Sequence, residues 1–131
     1  FKNKFCIVLN VNGKSTYLIH CLTTTQNKKM FPELHFGCSV VNNVPYFFIP
    51  IGQDLKGELG YVFKENTLIF FQNNIRKESI NSFEKYCNDD KITIKEKLPN
   101  SFLKRLIKCL LKSDFVPMNL IDELNDIKES L

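Results

Sequence analysis

No stretch of this sequence is long and apolar enough to cross a bilayer. The longest apolar run, Val44 to Ile51, has eight residues and two prolines. A basic segment leading into an apolar one and a small-residue cleavage site is also missing, so no secretory signal is visible. Histidine is scarce: His20 and His35 are the only two, fifteen residues apart. With no CxxC pair and no Cys/His cluster at ligand spacing, a bound metal is not expected, and nothing implies a cofactor. Glycine-rich phosphate loops, HExxH and GxSxG are absent too, which removes the common nucleotide-binding, zinc-protease and serine-hydrolase chemistries. Nothing repeats internally.

What is present is an average globular composition in 131 residues, 44% hydrophobic and 24% charged. That is enough for one core and too little for two, so residues 1–131 are expected to form a single domain. Eighteen basic against fourteen acidic residues leave a formal charge of +4, compatible with a polyanion partner without requiring one. Sixteen of the eighteen are lysine, leaving Arg76 and Arg105 as the only guanidinium groups. Cys6, Cys21, Cys38, Cys87 and Cys109 are odd in number and unpaired in pattern. They read as reduced thiols serving as small apolar residues, with a cytoplasmic location.

The first two thirds of the chain read as β. Phe5 to Val11 and Ser15 to Leu22 are strand-like runs on either side of Asn12-Gly13, the pair a type I′ hairpin turn favours. Thr23 to Lys29 reads as a polar loop. A short strand is expected around Leu34 to Val41, then an Asn42-Asn43 turn and a strand from Val44 to Ile51. Pro45 and Pro50 require that strand to be short, to lie at an edge, or to begin and end at them. Thr67 to Phe71 reads as a strand buried on both faces. Ile75 to Cys87 is ambiguous: Ile80, Phe83 and Cys87 have helical spacing, with Ser79 as a cap. Ile92 to Lys95 alternates like a small strand.

Beyond Pro99 the period changes. Phe102, Leu103, Leu106, Ile107, Leu110 and Leu111 make one stripe of a helix, with Lys104, Arg105, Lys108 and Lys112 on its other side. Ser113 to Pro117 breaks it, and Leu120, Ile121, Leu124, Ile127 and Leu131 mark a second helix. The first of these segments carries only positive charge and the second is mainly acidic, as suits a helical hairpin. The predicted fold is α+β: a small antiparallel β-barrel over about residues 1–98, with a helical hairpin over about 99–131. No crossover helix separates the first four strands, which argues against a parallel sheet.

Two polar segments could meet a phosphate. Thr23 to Lys29 offers Thr24, Thr25, Gln26, Asn27, Lys28 and Lys29, whose hydroxyls, amides and ammonium groups suit a phosphate or a base edge. Asn73 to Ser79 offers Arg76, with a guanidinium that matches a phosphate in bidentate geometry, and Lys77 beside it. His20 alternates with Leu18 and Leu22 and reads as a structural imidazole. His35, beside a polar loop, is better placed to titrate.

These residues also carry a resemblance. Lys4-Phe5-Cys6-Ile7-Val8-Leu9, then a hairpin, then a strand ending Cys21-Leu22-Thr23-Thr24-Thr25, resembles the opening of PemK/MazF-type toxins. Phe63 to Ile69 is similar to a strand entry in divergent members, and Leu106 to Ser113 to their closing helix. The resemblance implies an SH3-like barrel, commonly a homodimer, that cuts single-stranded RNA without metal and is neutralised by an antitoxin protein. It further implies that Thr24 or Thr25 bonds the phosphate and that Lys4 or Arg76 neutralises it. Members usually carry an arginine near the start of the barrel where this chain has Lys4-Phe5, and lysine is a point charge without the planar fork. A second reading stays open: a non-catalytic SH3-like module that binds a protein or RNA.

Overall fold

The fold is that of a computed structural model, which describes residues 5–10, 17–22, 24–25, 35–41, 43–71 and 75–131, with backbone only for 17–22, 24–25 and 41. Among the described residues seven strands come first, β1 (Cys6–Val8), β2 (Tyr17–Leu22), β3 (Thr24–Thr25), β4 (Gly37–Val41), β5 (Val44–Ile49), β6 (Thr67–Phe70) and β7 (Ile75–Ser79), and three helices follow, α1 (Ile80–Asn88), α2 (Asn100–Leu110) and α3 (Met118–Ser130). The chain is thus α+β with antiparallel pairing throughout. Its strands form two sheets, ordered β1-β2-β7 and β3-β6-β5-β4, and among the described residues each keeps two edge strands.

The expected first hairpin is present, with Cys6 opposite Leu22 and Val8 opposite His20. Its Asn12-Gly13 turn lies outside the described residues. The β4–β5 hairpin closes with Val41 opposite Val44, and Asn43 takes a φ of 65°, a left-handed value that asparagine tolerates better than most residues. Pro45 does not force β5 to an edge. The β5–β6 register begins at Tyr46 opposite Phe70, so the missing amide of Pro45 falls outside that ladder, and Pro50 lies just beyond the last strand residue.

Alternation along β5 feeds two clusters. Phe47 and Ile49 join the main core with Ile69, Phe71, Leu103, Leu106, Ile107 and Leu110 of the helix stripe, and with Leu120 and Leu124 of α3. Tyr46 and Phe48 turn the other way and pack with Leu68 and Phe70. The predicted helical hairpin therefore exists, but apolar packing holds it. Among the described residues no ion pair joins α2 to α3; the acidic helix is tied instead to β7, where Lys77 Nζ donates to Glu123 Oε1 at 2.7 Å.

Four expectations change. The ambiguous segment splits at Ser79, which ends β7 and caps α1 by accepting the Ser82 N–H at 3.2 Å. Thr24 and Thr25 are not loop but strand, because β6 offers a free edge and β-branched residues suit a pleated surface. Ile92 to Lys95 forms no strand: among the described residues no strand pairs with it, and Ile94 is 70% exposed. Lastly, Cys38 and Cys109 are not both reduced. The crossing of α2 over β4 sets their Cα atoms 5.5 Å apart, and a disulfide joins them. This bond removes cysteine content as a ground for a cytoplasmic location.

Candidate functional site

β2 lies between β1 and β7, so its alternation assigns residues to two faces. Ile7, Cys21 and Ile75 are in register with one another, and Ile7 is in the core while Ile75 packs against it. That face points inward. The other face carries Cys6 and Val8 from β1, Leu18, His20 and Leu22 from β2, and Arg76 and Glu78 from β7. Cys6 and Arg76 are exposed, as an outward face requires.

The register sets His20 directly opposite Arg76, with Glu78 opposite Leu18 and hence on the diagonal from His20. Directly opposed residues stand about 5 Å apart and diagonal ones about 7–8 Å, within reach of long side chains. His20, Arg76 and Glu78 thus occupy register positions on one strand face, where Arg76 is exposed and Glu78 half-buried. Among the described residues the Arg76 guanidinium makes no hydrogen bond or ion pair, whereas the other arginine is engaged: the Arg105 guanidinium sits 4.6 Å from the centre of the Phe36 ring and donates to the Phe36 carbonyl at 3.4 Å. The Cys6 thiol on the same face is pushed up, first by the atoms that pack around it and then by the Glu78 carboxylate.

The residues singled out from sequence lie in separate places. Lys4, Gln26, Asn27, Lys28 and Lys29 lie outside the described residues. Thr24 and Thr25 sit in the four-stranded sheet, opposite Leu68 and Thr67. Thr24 is four residues along the chain from His20, at most about 14 Å even when fully extended. The ladder therefore opposes Arg76 to His20 and not to either threonine. Lys77 occupies the inward-facing register and is held by Glu123. His35 is exposed, beside Phe36 at the start of β4.

His20 reads in the sequence as a structural imidazole, and the register places it on the strand face opposite to that of Cys21. That register depends on the strand character of Ile75 to Ser79, which the sequence leaves ambiguous.

A second polar feature lies in the loop before β6. The Glu96 carboxylate accepts the N–H groups of Leu59, Tyr61 and Lys97, each at 2.7 Å. Desolvation alone would raise its pKa; these amides, with that of Glu58, outweigh it and hold the carboxyl below its usual range. A Cβ at Gly57 would collide with this carboxylate, which is why the loop needs glycine there. Nearby is a cavity of about 320 Å³ lined by Lys56, Glu58, Lys97, Leu98, Pro99 and Asn100; Arg76, Thr24 and Thr25 take no part in it.

Among the described residues no group of three His, Cys, Asp or Glu side chains could hold a metal ion, and no helix is long and apolar enough to cross a membrane. The residue types at these register positions are ones that bind anions (Arg76) and move protons (His20, Glu78). No family model matches the chain, and no curated protein or solved structure matches it either.

Proposed function

We propose that this chain is a metal-independent endoribonuclease that cuts single-stranded RNA on the outward face of the three-stranded sheet. The observation that carries the reading is the register of His20 opposite Arg76, with Glu78 on the diagonal. In this reading the Arg76 guanidinium binds the scissile phosphate in bidentate form. The 2′-hydroxyl attacks the neighbouring phosphorus; its O–P bond forms as the bond to the 5′-oxygen breaks. Glu78 takes the 2′ proton and protonated His20 gives one to the departing 5′-oxygen. The products are a 2′,3′-cyclic phosphate and a 5′-hydroxyl.

Histidine titrates near neutral pH and can hold the proton it donates. General acid–base help of this kind is worth about 10²–10⁴-fold. Thr24 and Thr25, a few residues along the chain, contact the adjoining nucleotides. The two sheets are then the halves of an SH3-like barrel, linked where β2 and β3 flank residue 23. The resemblance to PemK/MazF-type toxins supports the same assignment, which makes the chain the toxic member of a pair with an antitoxin protein.

Incubation of the purified protein with single-stranded RNA in EDTA tests this. Fragments ending in a 2′,3′-cyclic phosphate are expected, with none from a 2′-O-methyl strand. Arg76→Ala should slow cleavage at least 100-fold, as loss of a transition-state donor does. RNA that stays intact with and without magnesium overturns the reading, and retained binding without cleavage would favour the non-catalytic module.

A further inference from the structure

The outer face of α2 carries the most uniform charge among the described elements. Lys104 and Lys108, with Lys112 just past the last turn, recur every four residues and are all exposed. The helix contains no acidic residue. Among the described residues none of the three ammonium groups makes a hydrogen bond or ion pair, although α3, which packs beside α2, holds Asp122, Glu123, Asp126 and Glu129. Like charges at this spacing repel along a helix, and the acidic helix does not relieve them.

Each lysine rises about 6 Å above the last along the axis, of the order of the step between neighbouring phosphates in a single strand. Arg105 extends the positive field toward Phe36. Just past the stripe, the turn into α3 exposes two apolar side chains, Phe115 at 46% and Met118 at 86%. A row of cations ending in an open ring is the combination that single-stranded nucleic acids use, with backbone tracked by charge and a base stacked on an aromatic face. A lipid surface fits less well, because the apolar stripe of α2 is already spent in the core and no large apolar side chain of α2 itself is exposed.

We propose that the Lys104–Lys108–Lys112 stripe is a backbone track for single-stranded RNA, with Phe115 as its stacking platform. It rests on the cleavage reading only for the choice of RNA over DNA, since charge and stacking do not distinguish them.

The test is binding of a fluorescent 2′-O-methyl oligouridine, which cannot be cut at its 2′ position, over a range of salt concentrations. Joint substitution Lys104→Gln, Lys108→Gln and Lys112→Gln should leave the melting temperature unchanged. It should lower the slope of log K against log salt by about 2, at ~0.7 per phosphate contact on a single strand. Phe115→Ala should weaken binding at least fivefold. An unaltered slope in the triple variant overturns the track, as does lysine-dependent binding to phosphatidylserine vesicles with no binding to the oligonucleotide. Loss of cleavage in Arg76→Ala with the slope intact keeps the track; intact RNA together with lysine-dependent binding sinks the nuclease reading alone.

Discussion

The two sheets of this protein use alternation in opposite ways. In the β5–β6 ladder both faces are buried: Phe47, Ile49 and Ile69 meet the helices, while Tyr46, Phe48 and Leu68 form a second cluster behind them. In the three-stranded sheet Ile7 and Ile75 on one face meet the core, while Cys6 and Arg76 on the other are exposed. A sheet covered on both sides has no room for chemistry. A sheet covered on one side can be fixed by its inner face while its outer face holds polar groups in register. The two arginines repeat the contrast, since Arg105 is spent on Phe36 and Arg76 is not.

The sharpest way to break this comparison is to damage the doubly covered ladder. Phe47 is fully buried against Phe102 and Phe36, so Phe47→Ala should cost about 3–5 kcal/mol in urea unfolding. A loss below 1 kcal/mol would mean the helices do not rest on β5 as described. Next in size is the bond between β4 and α2. Its cysteines are 71 residues apart, and closing a loop that long constrains the unfolded chain, so Cys38→Ser should cost about 2–4 kcal/mol. Dithiothreitol should lower the wild-type stability by a similar amount and leave the variant unchanged. In the variant the Cys109 sulfur, 3.4 Å from the Tyr46 carbonyl, becomes a thiol that can donate to it, which places the loss toward the lower end.

Smaller effects sharpen the contrast between the arginines. Arg105→Ala should cost about 0.5–1 kcal/mol through the lost ring contact. Arg76→Ala should stay within about 0.5 kcal/mol while removing cleavage. Equal losses of stability would deny that Arg76 is kept for a ligand.

The smallest shift concerns Glu96. Its carboxyl is held below its ordinary value, so the amides it accepts stabilise the fold above the unfolded pKa, and that contribution is lost as pH falls through the folded one. Between pH 6 and pH 3 the urea midpoint of the wild type should fall further than that of Glu96→Gln. Parallel curves would show that the carboxylate does not organise the 57–61 loop.

Local features were legible in the sequence. The 3.6-residue stripe from Phe102 to Leu110 gave α2, and the Asn42-Asn43 pair marked the turn between β4 and β5. The strand at Thr67 was readable from its unbroken apolar run. Ile75 to Cys87 was not, because the five residues of β7 and most of α1 share a segment whose apolar spacing is helical only in its second part. The strand expected at Ile92 failed for a different reason: alternation shows a willingness to pair, and a partner has to be present.

The sequence by itself determined the α+β class of the protein and its helical hairpin, and it holds residue types that can bind a phosphate or carry a proton. Only the tertiary structure decided which of these stand together. It opposed Arg76 to His20 across 56 positions (76 − 20), bonded Cys38 to Cys109, and brought Glu96 to amides 35 and 37 residues before it. The physical reason is range. Period, turn and cap preferences act over a few residues of chain, whereas register between distant strands is selected by which faces the whole core can bury.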